Sequence, residues 1–260
     1  MTDGKSKRSR KTHDTTIFSF SHSGLDCMEK CSREWFFKYI MKIFPKSKKP
    51  ATEFGKFLHE IAENYKGGGI IELRELQNTY KDKYVIDADY EEKINSAMSV
   101  FMDFYHKYLQ SAKQIYREKE IRIALSEYVD LVGNIDCLYR NENDEWVVVD
   151  YKTSKKPSDC SKQLSLYYFL MCAISKTKPK KLRCQIVYLA LNDSSYNTVD
   201  EYVLTQEELD FCEYRLESAF NRITNLGIDD ITAWRKKPGP LCKYCDFYIT
   251  GYCDGKNKDE

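Results

Sequence analysis

The sequence predicts an α/β domain with a helical N-terminal part, and three observations carry that expectation. Apolar residues recur every three to four positions through most of residues 53–113. Apolar or alternating runs of strand length follow at 118–125, 128–140, 145–152, 183–191 and 198–204, with helical patterns at 161–175 and 206–226. No internal repeat or long linker divides the 260 residues, and 42% hydrophobic content is enough for one sizeable core.

Taken in order, residues 1–16 carry Lys5, Lys7, Arg8, Arg10 and Lys11 without apolar periodicity and read as a solvated basic tail, with 257–260 as a second tail and 17–256 as one domain. Residues 53–66 form an amphipathic helix with Phe54, Phe57, Leu58, Ile61 and Tyr65 on one face, stopped by the glycines at 67–69. Helical rhythm resumes over 70–83 and from Asp89 to about Lys113 through Ile94, Ala97, Phe101, Tyr105 and Tyr108. A net charge of +1, from 41 basic and 40 acidic residues, excludes a uniformly basic coat, so a nucleic-acid surface has to be local. No apolar run approaches the ~20 residues of a membrane span and the N-terminus has no secretory core, so a cytoplasmic protein with no membrane partner is expected.

Ten cysteines in a chain without export signals argue against a disulfide scaffold. Cys137, Cys172 and Cys184 lie in apolar runs and read as small buried hydrophobes. The C-terminal "LCKYCDFYITGYC" differs, because Cys242, Cys245 and Cys253 follow the Pro/Gly break "KKPGP" at spacing that suits a metal or a cluster. Four thiolates serve tetrahedral zinc or [4Fe–4S] equally well, and free thiols are the bland alternative.

The most informative stretch is "GNIDCLYRNENDEWVVVDYKTSKKP", residues 133–157. Its two β-like runs flank the polar turn "NEND", and period two puts Asp150 and Lys152 on one face of the second strand. Asp136 joins them if the register pairs 136 with 150, which demands an odd turn such as Glu142 to Asp144. An even turn sets Asp136 against Val149 unless a bulge intervenes. Two carboxylates and an ammonium together suit Mg²⁺ or Mn²⁺ and a metal-assisted hydrolysis, whereas a lone Asp-x-Lys is by default a surface ion pair worth ~0–1 kcal/mol. His59 lies one helical turn after Gly55, which leaves room beside an imidazole able to ligate a metal. Gln163 and Tyr167 share a helical face and can grip a DNA strand, the alternative being a core tyrosine. Lys155 and Lys156 either bind the DNA backbone or form a solvated turn.

In this order the motifs resemble the RecB-like branch of the PD-(D/E)XK nuclease superfamily: G-x3-H at Gly55 and His59, G-x-x-D at Gly133 and Asp136, D-Y-K at Asp150 to Lys152, Q-x3-Y at Gln163 and Tyr167. The resemblance implies a restriction-endonuclease-like core, a central mixed sheet flanked by helices. It also implies His59, Asp136 and Asp150 as metal ligands with the Tyr151 carbonyl completing the shell, Lys152 as catalytic lysine, and DNA contacts from the helix of Gln163 and Tyr167. "SHSGLDCMEKC", residues 21–31, resembles the N-terminal motif of the iron–sulfur members, which makes Cys31, Cys242, Cys245 and Cys253 the ligands of one [4Fe–4S] cluster in a C-terminal cluster-binding loop. Cys27 is an extra thiol nearby. The implied activity is a Mg²⁺- or Mn²⁺-dependent deoxyribonuclease, an exonuclease on single-stranded DNA or DNA ends that leaves 5′-phosphates. Single-domain CRISPR-associated nucleases and phage-encoded relatives have this size, which points to partners in CRISPR adaptation or recombination in a prokaryotic or phage-infected cell. A non-catalytic iron–sulfur or zinc module that binds DNA or assembles with partners is the alternative.

Overall fold

The apolar faces of these helices and strands close on one another as a sheet with helices on both sides. A computed structural model describes residues 18–45, 50–84, 86, 88–174, 183–191 and 193–255; the expected tails at 1–16 and 257–260 lie outside them. The elements in chain order are β1 (Phe18–Phe20), α1 (His22–Lys30), α2 (Ser32–Trp35), α3 (Pro50–Asn64), α4 (Gly69–Lys81), α5 (Ala88–Phe104), β2 (Gln114–Ala124), β3 (Val129–Arg140), β4 (Trp146–Lys152), α6 (Ser161–Ile174), β5 (Arg183–Tyr188), β6 (Val199–Val203), α7 (Gln206–Leu226) and α8 (Asp246–Ile249). Strand order is β1-β3-β4-β5-β6, with β2 also on β3. The sheet is mixed: β1 pairs with β3 and β4 with β5 in parallel, and the other pairs are antiparallel.

Strand β4 is central, and both its faces are covered, which explains the run "WVVV". Val148 packs with Leu164 and Leu170 of α6 and with Cys212 and Ile223 of α7. Val147, Val149 and Tyr151 pack on the other side with Phe57 and Ile61 of α3 and Phe101 and Phe104 of α5. Cys137 and Cys184 are buried as expected, and burial pushes both thiols up to about 12; Cys172 is only half-buried.

The turn between β3 and β4 is the odd one. Asn141 N donates to Glu145 O at 3.0 Å, leaving Glu142, Asn143 and Asp144 as the loop, with Asp144 in the left-handed region at φ 64°. The ladder pairs Arg140 with Trp146 through Cys137 with Val149, so its continuation sets 136 against 150. There the strands part. β2 occupies one whole edge of β3, and β1 and β4 share the other, holding 129–131 and 137–140. Residues 132–136 are thus free of strand partners on that edge. The alternation also slips at this point, since Ile135 packs in one core layer and Cys137 in the other.

Helix α6 covers the fork closely. A Cβ on Gly133 would stand 2.4 Å from Leu170 Cδ1, so the glycine of G-x-x-D is what lets helix and strand touch. Gly55 serves a different neighbour from the one expected: a Cβ there would lie 3.0 Å from Thr153 Oγ1, so the room is for the chain just past Lys152 and not for the imidazole.

Two boundaries differ from expectation. Helix α5 runs into a π-helical turn, Tyr105–Leu109, and β2 begins at Gln114, where the sequence predicts helix to 113 and strand from 118. The first turn of β2 residues is held by β3, with Gln114 opposite Arg140 and Ile115 opposite Tyr139, a non-local pairing that periodicity does not register. β1, three residues long, likewise exists as a partner of β3.

The chain's two described ends meet. Trp35 stacks on Trp234 at 4.9 Å, both fully buried, and Arg33 Nε donates to Trp234 O at 2.6 Å. Arg215 of α7, 4% exposed, binds Glu29 Oε1 at 2.5 Å and Asp26 Oδ1 at 3.1 Å, tying α1 to α7. Arg215→Ala strands two half-buried carboxylates that water partly reaches, so it lowers stability by about 2–3 kcal/mol, below the usual cost of breaking a fully buried pair. Urea unfolding measures it, and a loss under ~0.5 kcal/mol would show the pair to be ornamental.

Candidate active site

The fork in the sheet brings two carboxylates, an ammonium and an imidazole together. Asp136 stands on β3 where the strands part, and its Oδ2 accepts the Tyr151 backbone N–H at 2.7 Å. Asp150, 1% exposed, and Lys152 project from β4 towards α6. Lys152 Nζ lies 2.6 Å from Asp150 Oδ2 and donates to Gln163 Oε1 at 2.6 Å, while Gln163 Nε2 donates to Asp150 Oδ1 at 2.6 Å. One amide therefore holds acid and lysine at once.

The fixing continues inward. Gln163 Nε2 also donates to Tyr167 OH at 2.8 Å, and Tyr167 OH donates to Asn134 O, inside the unpaired stretch of β3, at 2.6 Å. Tyr167 is 4% exposed with its hydroxyl both donating and accepting. Its ring faces the core, so the core tyrosine is the placement found, and no open face remains for stacking on a DNA base. Lys155 and Lys156 are exposed in the turn after β4.

His59, on α3, faces the same point from the other side of the sheet. Its Nε2 lies 3.1 Å from Tyr151 O, and because a carbonyl only accepts, Nε2 carries a hydrogen. Nδ1 then points at Asp136 Oδ1, 3.6 Å away, and Glu118 Oε1, 3.8 Å away. Among the described residues, His59, Glu118 and Asp136 form a set whose ligand atoms lie within 4.8 Å of one another. Glu118 was not expected. It is the β2 residue opposite Asp136 and has a strained backbone, φ 44°. In "REKEIR" nothing local separates it from Glu120, which pairs with Arg122 instead. The expected set of His59, Asp136, Asp150 and the Tyr151 carbonyl is thus arranged differently: the carbonyl supports the imidazole, and Asp150 sits with Lys152 and Gln163.

The charges are consistent with a cation site. Burial alone lowers the His59 pKa, but the carboxylates of Asp136 and Glu118 outweigh it and raise it to about 10. Burial, reinforced by the charge of Asp136, raises the Asp150 carboxyl to about 6 against the pull of Lys152 and His59. Burial lowers the Lys152 ammonium, but Asp150 beside it raises it above its ordinary value. Asp150 Oδ2 forms an ion pair with Lys152 Nζ at 2.6 Å and has no further partner. A buried carboxylate of this kind, next to three converging ligand atoms, fits a divalent metal.

A second constellation lies at the chain's ends. Cys31, Cys242, Cys245 and Cys253 line one pocket, and Cys27, fully buried with burial pushing its thiol up to about 12, is not among its walls. Cys31 ends α1, its N–H on Cys27 O; Cys245 N donates to Cys242 O at 2.9 Å in a tight turn after Pro240, and Cys253 N to Phe247 O at 2.9 Å. Four thiols from both ends thus border one pocket, although among the described residues they are not drawn together into a tight ligand set as His59, Glu118 and Asp136 are.

Residues 19–250 match the sequence model of the PD-(D/E)XK nuclease superfamily, and the chain belongs to that superfamily. Its members generally use divalent metals, and its class makes this protein a nuclease with DNA as substrate. In fold it is similar to the crystal structure of a candidate exonuclease from Eubacterium rectale, with a TM-score of 0.55 over 86% of either chain at 12% identity. A solved structure named SSO0001 matches with a TM-score of 0.37 at 16% identity, over 76% of this chain and 93% of that one. No curated protein sequence matches significantly. No helix among the described residues is long and apolar enough to cross a membrane.

Proposed function

We propose that this chain is a metal-dependent DNA exonuclease of the RecB-like, iron–sulfur branch, acting in the cytoplasm on single-stranded DNA or DNA ends and leaving 5′-phosphates. The observation that carries it is the Asp150–Gln163–Lys152 bridge at the end of a buried strand, beside the convergence of His59, Glu118 and Asp136. His59 Nδ1, Glu118 and Asp136 would hold Mg²⁺ or Mn²⁺, with Asp150, paired to Lys152, as the neighbouring carboxylate. A bound divalent cation there neutralises phosphate charge and acidifies water.

The chain's own groups do the rest. Tyr151 O keeps the hydrogen on His59 Nε2, so Nδ1 is the nitrogen that would give up its proton and ligate a cation. Lys152 orients the attacking water by hydrogen bonding, in line with the 3′-oxygen that leaves. Gln163 and Tyr167 act through Asp150 and Lys152, as positioning residues. Lys155 and Lys156, just beyond the active strand, meet the DNA backbone. Cys31, Cys242, Cys245 and Cys253 hold a [4Fe–4S] cluster that clasps the ends of a single domain, residues 17–256. CRISPR adaptation, recombination and phage DNA processing are the settings that suit such an enzyme.

End-labelled single-stranded DNA with Mg²⁺ or Mn²⁺ tests the activity, and labels at opposite ends give its polarity. Progressive shortening is expected, and an inert metal-loaded protein overturns the reading. Gln163→Ala is expected to lower turnover about 10- to 100-fold, the usual cost of losing a group that supports a metal site, with DNA Kd within twofold. A weakened Kd at unchanged turnover would instead make Gln163 a DNA contact.

A further inference from the structure

Five large apolar or aromatic side chains stand exposed within residues 241–252: Leu241, Tyr244, Tyr248, Ile249 and Tyr252. So dense a patch is a binding surface more often than an accident of packing. It is built on a firm base, since Phe247 is 1% exposed and stacks on Phe37 at 4.9 Å. The tyrosines are 64%, 43% and 54% exposed, and Tyr244 and Tyr248 line the cysteine pocket.

Cations outnumber acids around them, with Asp246 and Asp254 as the acids of residues 231–254. The cations are Arg235, Lys236, Lys237 and Lys243, and Lys243 Nζ lies 4.9 Å from the Tyr244 ring centre. Lys236 is paired with Asp254. From there a basic line runs to the catalytic strand. Lys237 Nζ donates to Glu29 O at 3.5 Å, Lys162 Nζ binds Glu29 Oε2 at 2.8 Å, and the next residue, Gln163, holds Asp150. Asp26 and Glu29, the acids on this route, are engaged by Arg215.

Resting on the nuclease reading above, we propose that Tyr244 and Tyr248, with Lys237 and Lys243, form a docking track that holds single-stranded DNA away from the active site and feeds it along Lys162 to Asp150 and Lys152. Exposed tyrosines offer π-faces to any base and lysines follow the phosphates, which is the chemistry of sequence-tolerant single-strand binding. A protein partner would use the apolar patch but give no role to the basic line leading to the catalytic strand.

The test is binding of a roughly 20-nucleotide oligo-dT, by fluorescence anisotropy in EDTA, to full-length protein carrying Asp150→Asn so that nothing is cut. Absorbance near ~400 nm and the melting midpoint confirm that each variant keeps its cysteine-held group and fold. The double variant Tyr244→Ala/Tyr248→Ala is expected to weaken Kd at least about tenfold with the salt slope kept. Lys237→Gln/Lys243→Gln is expected to reduce the slope of log K against log salt by about 1.4, from ~0.7 per lost phosphate contact. Kd within twofold of the parent for both variants overturns the track. So does a tyrosine variant that changes oligomeric state on gel filtration while leaving Kd intact, which marks a protein interface. Cleavage by the Asp150-intact protein is scored separately: cutting with binding indifferent to the tyrosines sinks the track alone, and neither cutting nor binding sinks the nuclease reading with it.

Discussion

Asp150→Asn lowers DNA cleavage by about a thousandfold or more while the protein stays folded. The carboxyl is 1% exposed, and the asparagine has its shape and still accepts from Gln163 Nε2 through Oδ1. What disappears is one negative charge at the centre, and removing a single preorganised electrostatic partner at a reacting phosphate or carbonyl already costs about 10²–10³ in rate. Here the same charge is also the partner of Lys152 and the neighbour of the residues that would hold the metal, which compounds the loss. Stability changes modestly, because relief of the buried carboxylate beside Asp136 is offset by the Lys152 ammonium losing its counter-charge. Single-turnover cleavage and a thermal melt in EDTA check both halves. Cleavage within tenfold of wild type would remove Asp150 from the site; a collapsed melting midpoint would make its role architectural.

If the proposed [4Fe–4S] cluster is held by these thiols, Cys245→Ser is expected to abolish absorbance near ~400 nm and to loosen the whole chain. A link from Cys31 to Cys242 closes 242 − 31 = 211 positions of sequence, and the loop-closure scale for so long a span is about 5 kcal/mol if the link persists in the unfolded chain. Part of the clasp survives without it, because Trp35 remains stacked on Trp234 and Arg33 remains bonded to Trp234 O. The variant is therefore expected to fold, to melt well below wild type, and to lose its colour. A colourless wild type whose zinc content falls in the variant would replace the cluster by zinc, and equal melting of the two would remove any metal-centred clasp. Cys27→Ser is the control: Cys27 lies outside the pocket wall, so colour persists.

Legibility followed the range of the interactions. Helix α7 spans the residues its periodicity predicts because both its ends are written locally, by the capping box of Thr205 and Glu208 and by Gly227 at φ 67°. The Asp150 and Lys152 pair was readable because neighbours two apart on a strand share a face whatever else happens. Glu118 was not, because it becomes part of the site through a β2–β3 pairing and a backbone distortion that leave no trace in "REKEIR". Tyr167 illustrates the same limit from the other side: its spacing from Gln163 placed it beside the site, but burial turned it from a DNA contact into a bond with Asn134 O.

By itself, then, the sequence determined most of the longer helices and strands, the shared face of Asp150 and Lys152, and the residue types needed for metal-assisted hydrolysis, while leaving the parity of the turn before β4 open. These rest on local preference and period, which the chain carries in any state. Only the tertiary structure decided which oxygens meet the imidazole, which way the Tyr151 carbonyl is used, and that Cys31 and not Cys27 lines the pocket of the C-terminal thiols. Those are questions of angstroms between residues tens to hundreds of positions apart, and packing of the sheet against its two helical layers is what answers them.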